Sequence, residues 1–147
     1  MLRRKGGSAT DPITSENKFE SSAASDRPRL IAVASGKGGT GKTLVAANLA
    51  AGLAEAGQRV VAVDANPEGA NLHTCLGSPA PPVGLADFVA QREEDLGKLA
   101  IDTSLPNLRL IAGTHANLSD PQPGHQTRTR LIRSLRELDE TDWVVLD

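Results

Sequence analysis

The chain has 147 residues, a formal net charge of −2, a single cysteine and 2% aromatic residues. That length suffices for one domain with a buried core, and the charge balance makes no case for a polyanion-binding protein. One cysteine excludes an intrachain disulfide framework and fits a reducing cytoplasm; few aromatic rings disfavour base stacking, and no apolar stretch approaches the ~20 residues of a bilayer span.

Residues 1–28 carry basic side chains at Arg3, Arg4 and Lys5 with no apolar region behind them, so they do not form a signal peptide. The remainder of this stretch is Ser, Ala, Gly and charge without apolar periodicity, and it reads as a disordered leader. Leu30 to Ala34 then forms a short apolar run of strand type. A glycine-rich turn follows, and Lys42 opens a helix expected to run to Ala56. Gly36, Gly41, Lys42 and Thr43 satisfy G-x-x-x-x-G-K-[ST] between a strand and a helix, the setting in which that pattern cradles nucleotide phosphates. Unobstructed backbone N–H groups form a concave anion site there, and the helix dipole points its positive end at it. Gly36, Lys37, Gly38, Gly39, Thr40, Gly41, Lys42 and Thr43 are therefore the expected cradle, with Lys42 on the outer phosphates and the Thr43 hydroxyl placed for Mg²⁺. The competing reading is a glycine-rich turn and no more.

In the first helix Val45, Leu49 and Leu53 share a face at helical spacing, the alanines allow close packing on a sheet, and Gly57 is a C-cap candidate. Arg59 to Asp64 is a nearly continuous apolar strand, as expected for burial on both faces of a parallel sheet, and completes a strand–helix–strand crossover. Asp64 ends that strand, where parallel α/β sheets place ligands, and an acid there can hold a water in a Mg²⁺ shell. His73 and Cys75, without further ligands nearby, make a poor metal site and read as packing or surface residues. Ser78 to Pro82 is a proline-rich connector.

Leu85 to Gln91 forms a short helix, with Arg92 to Asp95 as its solvated charged end. Asn107 to Gly113 is another strand, ending in a small residue and presenting Thr114 and His115 near the site face, and Asp120 to Gly124 is a loop. From Gln126 to Leu138 an amphipathic helix turns Leu131, Ile132, Leu135 and Leu138 inward. Its Arg128, Arg130, Arg133 and Arg136 read as a solvated face, with a DNA- or partner-binding patch as the alternative. Trp143 to Asp147 is a last apolar strand closed by an acid, a pattern that supports Mg²⁺ from a second side.

The string Lys37-Gly38-Gly39-Thr40-Gly41-Lys42-Thr43, with its second lysine directly after the first glycine, resembles the deviant phosphate loop of the MinD/ParA family. Asp64 to His73 resembles that family's first switch, D-x-D-x-G-x-x-N-L: Asp64 matches the first acid, Asn71-Leu72 the closing pair, and Asn66 stands where the second acid is expected. Trp143 to Asp147 resembles its Walker B strand. With the helix and turn before it, the layout is similar to the flagellar-number (FlhG-like) branch. The resemblance covers 29–147.

It implies an α/β, three-layer P-loop NTPase fold with a mostly parallel sheet, incomplete at the C-terminus because the family's second switch and further strands follow Asp147. It implies ATP and Mg²⁺ as cofactors and Thr43, Asp64 and Asp147 as metal supports. Lys37, Lys42, Asp64 and Asn66 would take part in hydrolysis. Lys37 would reach the nucleotide of a partner subunit in an ATP-dependent homodimer; the alternative is a solvated loop lysine. A protein partner or activator is implied but not identified, and neither DNA nor a membrane is singled out as the working surface. An asparagine offers one carbonyl oxygen and no charge to an attacking water, so Asn66 implies slow hydrolysis; alternatively it is a turn residue before Pro67. The leading expectation is an ATP-driven positioning switch, and the second a nucleotide-responsive binding module with little turnover. An iron–sulfur ATPase ranks low because Cys75 is the sole candidate ligand.

Overall fold

The computed structural model describes residues 27–66, 69–113 and 124–147. The expected leader up to residue 26, Pro67 and Glu68 of the switch, Thr114 and His115, and residues 120–123 of the expected loop lie outside them. The elements are β1 (Arg29–Ala32), α1 (Lys42–Glu55), β2 (Val60–Val63), α2 (Leu72–Cys75), α3 (Leu85–Val89), a 3₁₀ turn (Leu96–Leu99), β3 (Ile101–Asp102), β4 (Leu108–Ile111), α4 (His125–Leu135) and β5 (Trp143–Leu146). The five strands form one sheet in the order β1-β5-β2-β4-β3, parallel throughout except for the antiparallel β3–β4 pair. The expected crossover β1–α1–β2 is present, and β5 lies between its two strands.

β2 explains why its sequence carries no alternation. Val60 and Ala62 face a core with Ala46, Ala50, Leu108, Leu110 and Val145, whereas Val61 and Val63 face one with Phe88, Leu99, Ile111, Leu135 and Val144. Period-2 side chains on a strand covered on both sides must all be apolar. The result is the expected three layers: α1 and α2 on one face, the sheet, and α3, the 3₁₀ turn and α4 on the other. Among the described residues no helix is long and apolar enough to cross a membrane.

Two expected helix faces are corrected. On α1 the buried stripe is Ala46, Ala47, Ala50 and Ala54, while Leu49 and Leu53 sit at its margin and Val45 is 55% exposed. The two stripes differ by one residue, or about 100° around the helix, and the small side chains win because they let the helix backbone approach the sheet. On α4, Leu131 and Leu135 and the following Leu138 pack inward, but Ile132 is 42% exposed, and the helix ends at Leu135. Arg130 does not belong to a solvated face: it lies 4.1 Å over the Phe88 ring and donates to the Phe88 carbonyl. Arg92, exposed at the charged end of α3 as expected, also pairs with Asp87 at 2.8 Å. The brief β3 and the 3₁₀ turn, begun by Asp95 accepting from the Gly97 amide at 2.9 Å, are too short to leave a sequence period.

At the amino ends of the central strands, Asp142 clasps Arg59. Its Oδ2 accepts from the Arg59 backbone amide at 2.8 Å and from Nε at 3.1 Å, and its Oδ1 accepts from Nη2 at 2.8 Å. The Arg59 carbonyl in turn accepts from the amides of Asp142 and Trp143. Arg29 lies 5.1 Å over the Trp143 ring, so β1, β5 and β2 are tied together at this end. The alanine stripe gives the first prediction. Ala50→Leu should overpack the helix–sheet contact and lower stability by about 1–3 kcal/mol in urea unfolding, while Val45→Ala should change it by less than ~0.5 kcal/mol.

Candidate phosphate and cation site

Three neighbouring parallel strands, β1, β5 and β2, bring their carboxyl ends together. β1 feeds the glycine-rich loop. Within it Ser35 Oγ donates to the Lys37 carbonyl at 2.7 Å, and the Thr40 hydroxyl lies 2.9 Å from Ser35 Oγ, so the turn is braced from inside. Gly39 and Gly41 hold φ of +71° and +84°, a left-handed backbone that L side chains resist. Gly36 and Gly38 have neither a positive φ nor any atom within 4 Å of a built Cβ, so the loop's own packing does not demand glycine there. Gly41 is the N-cap of α1 and supplies no side-chain cap, and the first turn contains no acid. The first intrahelical bond from this turn runs from Val45 to the Gly41 carbonyl. The preceding amides thus remain as donors for an anion. Lys42 and Thr43 are half-buried at the head of this helix, and Lys37 is exposed.

The two acids are cross-strand neighbours. The Asp147 amide donates to the Val63 carbonyl at 2.9 Å, and the Ala65 amide donates to the Asp147 carbonyl at 3.1 Å, so Asp147 is paired with Asp64. Val63 and Leu146 face the α4 side, so by alternation Asp64 and Asp147 turn toward the face that α1 covers. Asp64 is 1% exposed; its Oδ1 accepts from the Asn66 amide at 3.1 Å and its Oδ2 from the Leu72 amide at 3.0 Å. Burial pushes its pKa above the ordinary aspartate value. The Leu72 and Asn66 amides oppose the shift, and the neighbouring Asp147 charge adds to it. Both carboxylate oxygens of Asp147 are buried without a hydrogen-bond partner among the described residues. Such a carboxylate is costly unless a cation meets it.

This donor set fits Mg²⁺, which takes one or two carboxylates together with waters and phosphate oxygens. It does not resemble an all-protein metal cage: among the described residues no group of three or more His, Cys, Asp or Glu side chains could hold a metal. Cys75 is an exposed free thiol. His73 lies close enough to Asp64 to oppose slightly the rise in its pKa, and its Nδ1 is buried without a partner among the described residues, so this residue belongs to the rim of the site. Sequence reasoning missed the Leu72 amide, whose contribution depends on a loop closing back over β2. It also registered Gly113 only as a small strand-ending residue, although that glycine packs directly on Asp64.

The sequence profile of the CobQ/CobB/MinD/ParA nucleotide binding domain matches residues 31–144. The chain is 57% identical over 124 residues to the maintenance of carboxysome distribution protein A of Gloeobacter kilaueensis, a match covering 84% of this chain and 40% of that one. It is 47% identical over 120 residues to the antiactivator FleN of Pseudomonas aeruginosa, covering 81% and 42% respectively. Among solved structures, the septum site-determining protein MinD of Pyrococcus horikoshii, complexed with Mg-ADP, superimposes with a TM-score of 0.65 at 30% identity. That match covers 82% of this chain and 48% of the solved one. The chain thus spans less than half the length of these relatives.

The paired acids give a pH prediction. The native state holds the Asp64 proton to a higher pH than the unfolded chain does, so the contribution of Asp64 to stability falls as pH rises from ~3.9 through its raised folded value. Asp147→Asn removes the like charge beside it. The variant should show a shallower fall over that window and, without nucleotide, a higher melting temperature at neutral pH. Thermal unfolding of both proteins across the acid-to-neutral range is the measurement.

Proposed function

Because the chain belongs to the CobQ/CobB/MinD/ParA nucleotide-binding family, we propose that it binds ATP with Mg²⁺ and works as a dimerising switch in cellular positioning. The observation that carries this reading is the buried Asp147 carboxylate, without a partner among the described residues, beside Asp64 and on the face where α1 presents uncapped amides. One end of a Mg–triphosphate would meet the amides and lysine, and the cation would meet the acids. The loop amides from Gly36 to Thr43 and the Lys42 ammonium would neutralise the outer phosphates. The Thr43 hydroxyl, Asp147 and Asp64 would hold the metal, the acids directly or through water. Bound Mg²⁺ supplies charge neutralisation at the transferred phosphoryl group. The open surroundings of Gly36 and Gly38 support a loop whose backbone is kept clear for a ligand.

Water attack on the γ-phosphate needs an acceptor for the water's hydrogen bonds. Asn66, tethered by its amide to Asp64, is the residue of the described switch that would orient that water, and it brings no charge. Turnover is therefore slow, and occupancy of the ATP state correspondingly long. Lys37 is exposed whereas Lys42 is half-buried, which suits a role for Lys37 across a subunit boundary. The positioning role rests on the carboxysome-distribution relative and the septum site-determining MinD, and carries with it a second copy of the chain, an activating protein partner and a cytoplasmic setting. The second reading, a nucleotide-responsive module with almost no hydrolysis, is favoured by Asn66 alone.

Calorimetric titration with ATP and Mg²⁺ should give stoichiometric binding, and Lys42→Ala should weaken it by about tenfold to a hundredfold, the worth of a charge-assisted contact to phosphate. Absence of binding by the folded wild-type chain would refute the proposal. Asn66→Asp should raise steady-state phosphate release by about tenfold if water orientation limits the rate; an unchanged rate would show that Asn66 is a turn residue and does not limit hydrolysis. Lys37→Ala should retain ATP binding but lose the ATP-dependent shift in size-exclusion elution.

A further inference from the structure

A Cβ built on Gly113 meets another atom below 3.0 Å: it falls 2.7 Å from Ala70 Cβ, 3.0 Å from Asp64 Cγ and 3.1 Å from the Asp64 carbonyl oxygen. Its φ is not in the left-handed region. The glycine here answers to space rather than to backbone conformation. Two of the three neighbours are fixed to main chain: an alanine Cβ moves only with its backbone, and the Asp64 oxygen is backbone itself. A methyl group at this position must therefore drive the chain segments apart. Ordinary carbon–carbon contact lies near ~3.5–4.0 Å, so the Ala70 segment would retreat by about 0.8 Å or more.

The surroundings make that displacement consequential. The Asp64 amide donates to the Ile111 carbonyl at 3.0 Å, which lays the end of β4 alongside Asp64. The next carbonyl along, that of Ala112, accepts from the Leu85 amide at 2.9 Å, so the strand end is pinned from the α3 side and cannot withdraw freely. Ala70 leads through Asn71 to Leu72, whose amide holds Asp64 Oδ2. Pushing Ala70 outward therefore drags away a donor that orients the carboxylate, while the same methyl presses on the carboxylate carbon. The other carboxylate oxygen accepts from the Asn66 amide at 3.1 Å.

We propose that Gly113 is a positioning residue for the cation site: by lacking a side chain it lets the 69–72 segment close onto Asp64 and sets where that carboxylate stands relative to Asp147. The inference rests on the ATP and Mg²⁺ reading above and deepens it. Gly113 touches neither nucleotide nor metal in this scheme; it acts through Asp64.

The test compares ATP affinity with Mg²⁺ against ATP affinity in chelator for four proteins: wild type, Gly113→Ala, Ala70→Gly and the double variant. Circular dichroism and thermal unfolding report their folding. The ratio of the two affinities measures the cation site separately from the phosphate loop. It should fall about tenfold in Gly113→Ala, the scale expected for sub-ångström to ångström misplacement, and recover at least in part in the double variant, where the closest clash is gone. A folded Gly113→Ala with the wild-type ratio would overturn the inference, as would a loss the double variant does not relieve. If Gly113→Ala does not fold, a folded double variant with a restored ratio supports the proposal, and an unfolded one refutes it. A wild-type protein whose affinity ignores Mg²⁺ would instead remove the functional reading beneath it.

Discussion

Two like charges sit side by side on adjacent strands, one satisfied by backbone amides and the other by nothing among the described residues. In water Asp64 and Asp147 would turn outward and hydrate; here they are continuations of β2 and β5, whose preceding residues are buried on both faces, and they cannot turn without moving the sheet. The apolar strands thus do more than stabilise. They hold two carboxylates together in a buried place, an arrangement that is costly by itself and that a cation would relieve.

The phosphate loop complements this pair. It offers positive charge without a counter-charge of its own: an uncapped helix start, no acid in the first turn of α1, and Lys42 at its head. On the loop side, four glycines have nothing among the described residues within 4 Å of a built Cβ, so the backbone there stands uncovered. An excess of donors on one side and an excess of acceptors on the other is the electrostatic outline of a metal–polyphosphate complex.

Much of this was legible in sequence because it is local. Gly41-Lys42-Thr43 fixes loop and helix within a single run, and the continuous apolar strands ending in Asp64 and Asp147 announce themselves by composition. What escaped depends on contacts between segments distant along the chain. Whether Val45 or Ala46 faces the sheet is decided by how closely the helix can approach, and helical periodicity alone is indifferent to a rotation of one residue. Arg130 looked like a surface charge until α3 supplied the Phe88 ring and carbonyl beneath it. Gly113 carried no signal beyond being small, because its significance lies in Ala70 and Asp64, 43 and 49 positions earlier.

The clasp between Arg59 and Asp142 takes on a different meaning in this light. It lies at the foot of β2 and β5, five residues before Asp64 and Asp147 respectively, or roughly 16 Å of extended chain. Because it engages backbone and side chain together, it locks both strands to a common origin. From there the pleat counts off identical steps, so the acids arrive level. The ion pair works as the zero mark of a ruler: a one-residue slip at that distant surface would reverse the facing of every side chain along β5 and turn Asp147 away from the face that Asp64 occupies.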